Sequence, residues 1–121
     1  MHSKSDFANE MKNRTKKFAV ESIRHFRSLP KTDEARIIGK QFLRSSTSVA
    51  ANYRAVCRAR SEAEFYSKLC IVVEEIDETV LWLEIMQEAD ISTSDTLQKE
   101  ADELMKILSV SKKKVATNLK A

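Results

Sequence analysis

Apolar residues recur along the chain at intervals of three and four, and this spacing predicts four long helices. The first helix ends before Pro30, because proline lacks a backbone N–H and breaks a helix interior. The second helix is predicted over residues 33–60, where the side-chain oxygen of Thr32 can cap the first N–H groups. The third begins at a capping box formed by Ser61 and Glu64, and the fourth follows the polar stretch ADISTSD.

A line of apolar and small side chains marks the buried face of each predicted helix. In the second helix this line is Ile38, Phe42, Ser45, Val49, Asn52 and Val56. Connections of only a few residues force consecutive helices to run antiparallel. The predicted fold class is therefore all-α, an antiparallel up-down-up-down four-helix bundle in which residues 1–121 form a single domain.

The stretch LRSSTSVAANYR places four consecutive hydroxyl residues, Ser45 to Ser48, inside the second predicted helix. Such residues favour loops, because their side chains compete for backbone hydrogen bonds. A phosphate-binding loop would need glycines, and this stretch contains none. The apolar spacing continues through it, and serine and threonine hydroxyls can bond the carbonyl one turn back. We therefore predict a helix whose small polar side chains are buried, with a functional loop as the alternative.

The composition of the 121-residue chain is typical of long helices, since it has one glycine, one proline and 32% charged residues. Cys57 and Cys70 lack the spacing of a metal site, so we expect both to be packing residues. No apolar run is long enough to span a membrane, and the N-terminus does not resemble a signal peptide. These features predict a cytoplasmic protein with no membrane partner, no metal and no cofactor.

The second predicted helix carries cations on the side opposite its buried line, and we call this set the basic stripe. The stripe consists of Lys40, Arg44, Arg54 and Arg58, and Arg24 and Arg27 form a similar line on the first helix. All six are predicted nucleic-acid-binding residues, because guanidinium and ammonium groups neutralise backbone phosphates. A solvated helix face is the plainer alternative. Sequence-specific readout is not expected, because aromatic residues are few and none lies within the stripe, and Tyr53 beside it is the only candidate to stack on a base.

The third predicted helix is acidic, with nine acidic residues and one basic residue between positions 61 and 90. Its outward positions combine acids with large apolar groups that a monomer would leave exposed. Ile71, Leu81, Trp82 and Ile85 are therefore predicted to form an oligomer interface. The basic stripe then has two possible partners. One is phosphate, and the other is the acidic residues on the outside of the third predicted helix, either in the same chain or in a neighbouring subunit.

Two carboxylate clusters raise the alternative of an enzyme. Glu75 and Glu78 on the third helix and Glu100 and Glu103 on the fourth resemble the magnesium ligands of all-α nucleoside triphosphate pyrophosphatases. The first pair does not share the buried line of its helix, so the clusters should not converge. His25 lies apart from other candidate catalytic groups and is interpreted as a helix-end histidine. We therefore predict no catalytic residue and no metal ligand.

Residues from Leu29 to Ile91 resemble the four-helix-bundle proteins encoded in intervening sequences of bacterial 23S rRNA genes. The most specific matches are the run Gln41-Phe42-Leu43-Arg44, the spacing Ser48-Val49-x-x-Asn52, the pair Glu64-Phe65 and the region around Glu84. Many members carry glutamate where this chain has Arg54, which strengthens the basic stripe here.

This resemblance implies an antiparallel four-helix bundle that assembles as a homopentameric ring, with no known activity. A related group, the accessory variability determinants of retroelements, forms a basic pentamer that binds nucleic acid and a reverse transcriptase. By analogy, the chain is expected to bind RNA or DNA, and a reverse transcriptase is a possible protein partner. The alternatives are an assembly protein whose charges serve only subunit contacts, and the metal-dependent pyrophosphatase.

Overall fold

The computed structural model describes residues 3–120, and these residues form four α-helices and no strand. The helices are α1 (Lys4–Arg27), α2 (Asp33–Cys57), α3 (Glu62–Glu88) and α4 (Asp95–Lys120). Each helix packs against the next along the chain, whereas α1 and α4 approach each other least. The predicted all-α four-helix bundle is confirmed. The predicted single domain also includes residues 1–2 and 121, which lie outside the described residues.

Side-chain caps fix the starts of the helices where the sequence predicts them. The hydroxyl of Thr32 accepts a hydrogen bond from the Ala35 N–H at 3.3 Å, so α2 begins at the next residue. The hydroxyl of Ser61 accepts from the Glu64 N–H at 3.1 Å and starts α3. Only this half of the predicted capping box is present, since the Glu64 carboxylate lies 4.0 Å from the Lys68 ammonium instead.

The second helix ends at Cys57, three residues before the predicted position 60. The Arg58 N–H donates to the Ala55 carbonyl and the Ala59 N–H to the Val56 carbonyl, both at 3.1 Å, which tightens the last turn and lets the chain reverse within a few residues. Residues 58–61 then form the α2–α3 connection, which carries Arg58 and Arg60 at one end of the bundle.

The hydroxyl-rich stretch is helical, as predicted, and its side chains bond within the helix or to α3. Ser45 is fully buried and its hydroxyl donates to the Phe42 carbonyl at 3.2 Å. The Asn52 amide donates to the Ser48 carbonyl at 2.9 Å. The Thr79 hydroxyl of α3 lies 2.9 Å from the Ser45 hydroxyl, so small side chains allow the two helices to pack closely here.

The core lies along the predicted buried lines of all four helices. Its largest fully buried side chains are Phe18, Phe42, Met11, Leu69, Ile76, Met86, Leu104 and Leu108. Gly39 packs against the end of α1, where an added Cβ would lie 2.6 Å from the Leu29 Cδ1 atom. This packing fixes the angle between α1 and α2 and leaves the outer surfaces of α2 and α3 free to carry charge.

Candidate nucleic-acid interface

A positively charged cleft lies between α2 and α3, next to their connection, and we call it the basic cleft. Its volume is about 520 Å³, and its lining residues are Ala51, Arg54, Ala55, Arg58, Arg60, Glu64 and Lys68. Four of these seven side chains are cationic and one is anionic. The cleft therefore concentrates positive charge at one end of the bundle.

The local sequence explains the shape of the basic cleft. Ala51 and Ala55 are one helical turn apart, so their small side chains form a shallow floor. Arg54 and Arg58 show the same spacing and form one wall of the cleft. Arg60 precedes the N-terminus of α3, whose free N–H groups add partial positive charge.

The arginines of the basic cleft have no ion-pair partner among the described residues. Among the described residues, no carboxylate lies within 4.0 Å of Arg54, Arg58 or Arg60. The fourth cation, Lys68, has only a distant partner in Glu64 at 4.0 Å. Three guanidinium groups can thus donate hydrogen bonds to an anion without breaking an existing ion pair.

Arg44, in the middle of the basic stripe, has a different environment from Arg54 and Arg58. Its guanidinium donates to both carboxylate oxygens of Glu78, at 3.1 and 3.2 Å, and lies 3.6 Å from a Glu75 oxygen. The acidic partner of this arginine is thus in the same chain, on α3. The side chain is still 53% exposed, so the ion pair holds it in place without burying it.

Glu75 is the more buried of the two carboxylates, with 15% of its side chain exposed. Burial raises the pKa of Glu75, the Arg44 guanidinium lowers it, and the neighbouring Glu78 raises it again. Together these effects raise the pKa of Glu75, because the charge of Arg44 does not fully offset the loss of water around the carboxylate. A charge held in this way is less available to bind a phosphate than that of Arg54 or Arg58.

The remaining predicted nucleic-acid-binding residues lie outside the basic cleft. Arg24 pairs with Glu21 in its own helix at 2.8 Å, while Arg27 and Lys40 are exposed on α1 and α2. Arg60 and Lys68 line the cleft but were not among the predicted residues. The spacing of Glu64 and Lys68 on one side of α3 is the signal that could have placed Lys68 opposite α2.

Tyr53, the only candidate for stacking on a base, is not available to a ligand. Its side chain is only 4% exposed and belongs to the hydrophobic core. Burial is the main factor that raises the pKa of its hydroxyl. No aromatic side chain lines the basic cleft, so the cleft is suited to backbone phosphates more than to bases.

The carboxylates considered for a magnesium site are bound by arginines. Arg14 forms a two-bond ion pair with Glu100, at 2.6 and 3.1 Å, and lies 3.2 Å from Glu103. On the other side of the bundle, Arg44 contacts the carboxylates of α3. Within residues 3–120, no group of three or more His, Cys, Asp or Glu side chains is arranged to hold a metal ion.

The predicted oligomer-interface residues differ in exposure. Ile71 and Leu81 are exposed, whereas Trp82 and Ile85 are half-buried. The expectation that Trp82 and Ile85 lie exposed is wrong, since both are half-buried and Trp82 packs against the core. Its indole N–H is buried and has no hydrogen-bond acceptor among the described residues.

This geometry defines a class of protein, the four-helix bundles, here with a basic cleft at one end of the bundle. None of the helices within residues 3–120 has the length and apolar character needed to cross a lipid bilayer. Residues 8–110 match the family described as 23S rRNA-intervening sequence protein. The chain belongs to this family.

A solved structure agrees with this assignment. The chain is similar to a Bacteroides thetaiotaomicron protein described as having unknown function and as coming from the S23 ribosomal protein family. The two are 31% identical, with a TM-score of 0.80, and the match covers 88% of this chain and 97% of the other. No functionally curated protein matches the chain.

Proposed function

We propose that the protein is a homo-oligomeric nucleic-acid-binding module that uses the basic cleft to hold backbone phosphates and performs no catalysis. The observation that carries this proposal is the set of arginines without carboxylate partners, Arg54, Arg58 and Arg60. Arg14, Arg24, Arg36 and Arg44 all have such partners within 4.0 Å. Unpaired cations in one cleft are suited to bind a polyanion.

The residues that line the basic cleft also favour recognition of the nucleic-acid backbone over recognition of bases. Sequence-specific RNA binding usually stacks bases on aromatic rings, and this cleft contains none. Phosphate contacts alone position a nucleic acid without reading its sequence. The proposed ligand is therefore the backbone of RNA or DNA, bound with little sequence preference.

Self-association is the second part of the proposal. Ile71 and Leu81 expose apolar surface on α3, and such surface is typical of contacts between protein chains. The resemblance described above favours a homopentamer, and by the same analogy a reverse transcriptase is a candidate partner. An oligomer would present several basic clefts to one nucleic acid, which increases the overall affinity.

An assembly protein without a ligand is the competing function, and the ion pair between Arg44 and Glu78 favours it. This pair shows that at least one arginine of the basic stripe serves contacts within the protein. If Arg54 and Arg58 have a similar role between subunits, their removal should disrupt the oligomer.

One pair of variants separates these functions. In Arg54→Glu/Arg58→Glu, anisotropy of a labelled single-stranded RNA should show binding weakened more than about tenfold, while light scattering gives an unchanged mass. The control Lys16→Glu/Lys17→Glu makes the same charge change at exposed positions of α1 and should retain most binding. A native chain that does not bind, or equal losses in both variants, would contradict the proposal. A loss of mass would favour the assembly protein.

A further inference from the structure

A second, larger depression lies at the same end of the bundle, between the first turn of α1 and the C-terminal half of α4 and beside the start of α3, and we call it the apolar groove. Its volume is about 1010 Å³, and Phe7, Phe65, Leu69, Ile107, Val110 and Val115 form most of its floor. The Val110 side chain is 52% exposed, which is high for a valine in a bundle. The groove exists because α1 and α4 are the pair of neighbouring helices that approach each other least.

The groove has the length of a short helix. On α4 its lining extends from Lys106 to Asn118, which at 1.5 Å per residue is about 18 Å, or roughly three turns. An apolar floor of this length between two helices is the usual binding surface for one face of a third helix. A helix in this position would cover Val110 and Phe7.

The rim of the groove is basic. Lys4, Arg60, Lys106 and Lys114 line it, and Glu62 is the only acid among the lining residues. In the part of the chain that the structure describes, none of these four cations lies within 4.0 Å of a carboxylate. The rim is therefore complementary to a helix whose apolar face is flanked by acids.

The chain itself contains such a face on the outside of α3. Leu81 is 47% exposed, and Asp77 lies four residues before it and Glu84 three residues after it. The acids of this face, Glu74, Asp77, Glu84 and Glu88, are all exposed, and no cation of residues 3–120 lies within 4.0 Å of them. We call this surface the α3 outer face, and Ile71 extends it toward the N-terminal half of α3.

We propose that the apolar groove of one copy of the chain receives the α3 outer face of a second copy. This inference rests on the self-association in the proposed function and names the two surfaces that meet. Each surface has exposed apolar groups and unpaired charges, of opposite sign, so one contact covers the apolar groups of both copies and neutralises both rims. The two surfaces are different, so the contact is heterologous, and an open assembly keeps one free groove at one end and one free face at the other until it closes.

A heterologous contact can be tested with two variants that each damage one surface. Lys106→Glu/Lys114→Glu reverses charge on the groove, and Asp77→Lys/Glu84→Lys reverses it on the α3 outer face. All four positions are exposed, and circular dichroism should confirm that both variants keep the helical content of the native chain. Light scattering should then show that each variant alone has the mass of a single 13.8 kDa chain.

Mixing the two variants is the decisive step. One variant keeps a native α3 outer face and the other keeps a native groove, and the two reversed surfaces again carry opposite charge, so an equimolar mixture should recover species larger than the single chain. The control Lys99→Glu/Lys113→Glu changes the charge of α4 equally, outside the groove lining, and should retain the native mass. The inference is overturned if either surface variant keeps the native mass or if the mixture stays monomeric. A monomeric native chain would overturn the proposed self-association as well.

Discussion

The hydroxyl of Thr79 on α3 lies 2.9 Å from the hydroxyl of Ser45 on α2, and both side chains are completely buried. The Ser45 hydroxyl also donates to the Phe42 carbonyl, and the Thr79 oxygen is 2.8 Å from the Glu75 carbonyl. The Ser45 proton is thus used within α2, and the single Thr79 proton is within reach of both the Ser45 oxygen and the Glu75 carbonyl, so each hydroxyl makes at least one hydrogen bond. Two buried polar groups can remain in the core because both are satisfied.

Substitution of Ser45 should depend on the size of the new side chain. Ser45→Ala leaves the Thr79 hydroxyl its carbonyl partner, so we expect the free energy of unfolding to fall by less than about 1 kcal/mol. Ser45→Leu adds volume where α2 and α3 are in close contact and should cost about 1–3 kcal/mol or more. Urea unfolding of the three proteins measures both changes. Equal losses would show that the hydrogen bond, and not close packing, determines this position.

Arg14 and Glu100 join α1 to α4, the pair of helices with the least mutual contact. The two-bond geometry and the partial burial of both side chains, 26% and 31% exposed, favour a contribution near the upper end for surface ion pairs. A double-mutant cycle with Arg14→Met and Glu100→Gln should give a coupling energy of about 1 kcal/mol. Glu103 can replace part of the lost contact, so Glu103→Gln belongs in the same series. A coupling close to zero would contradict a structural role for the pair.

The helices could be predicted from the sequence because local signals and tertiary packing agree. Thr32 and Ser61 cap helices where a short side-chain oxygen precedes an apolar series. Ser45 and Asn52 could be assigned to a buried helical face because the spacing of apolar residues continues on both sides of them. The end of α2 was less predictable, since the reversal at Arg58 depends on how α3 packs.

The candidate site was only partly predictable from the sequence. The spacing of residues along a helix shows which side of the helix each occupies, but it does not show which residues of another helix face that side. Arg44 and Arg54 share one predicted stripe, yet only Arg44 reaches carboxylates of α3. Tyr53 is one position from Arg54 and is buried because neighbouring helical residues point about 100° apart, which turns Tyr53 toward the core. Arg60 lies in a connection, where no helical period applies, and its place in the basic cleft follows from the tertiary fold.

Burial of His25 is expected to make the stability of the bundle dependent on pH. Its ring is 6.0 Å from the Phe42 ring, and its Nε2 atom is 3.0 Å from the Ser92 hydroxyl. Burial lowers the pKa of His25 below its usual 6.5, so near that pH the unfolded chain binds a proton that the folded chain does not. The free energy of unfolding should therefore fall as the pH drops from 6.5 through the lowered pKa of the folded state.

A comparison with His25→Gln isolates this effect. Glutamine has no proton to bind in this range, so the native chain should lose more stability than the variant between about pH 7 and pH 5. Urea unfolding of both proteins at each pH provides the measurement. The carboxylates and His2 are common to both chains, so the difference between the two pH profiles reports on His25. Parallel profiles would show that burial of His25 does not affect its protonation.

The salt dependence of RNA binding should distinguish the arginines of the basic cleft from Arg44. Each phosphate neutralised on a single strand contributes about −0.7 to the slope of log K against log salt. Arg58→Gln removes an unpaired cation of the cleft and should make the slope shallower by about 0.7 for each bound protomer. Arg44→Gln removes a cation already paired with Glu78, so its slope should match that of the native chain. Anisotropy titrations of one short labelled RNA over a series of salt concentrations measure all three slopes. If Arg44→Gln loses as much slope as Arg58→Gln, the ion pair with Glu78 opens on binding, and the phosphates follow the whole basic stripe instead of the cleft.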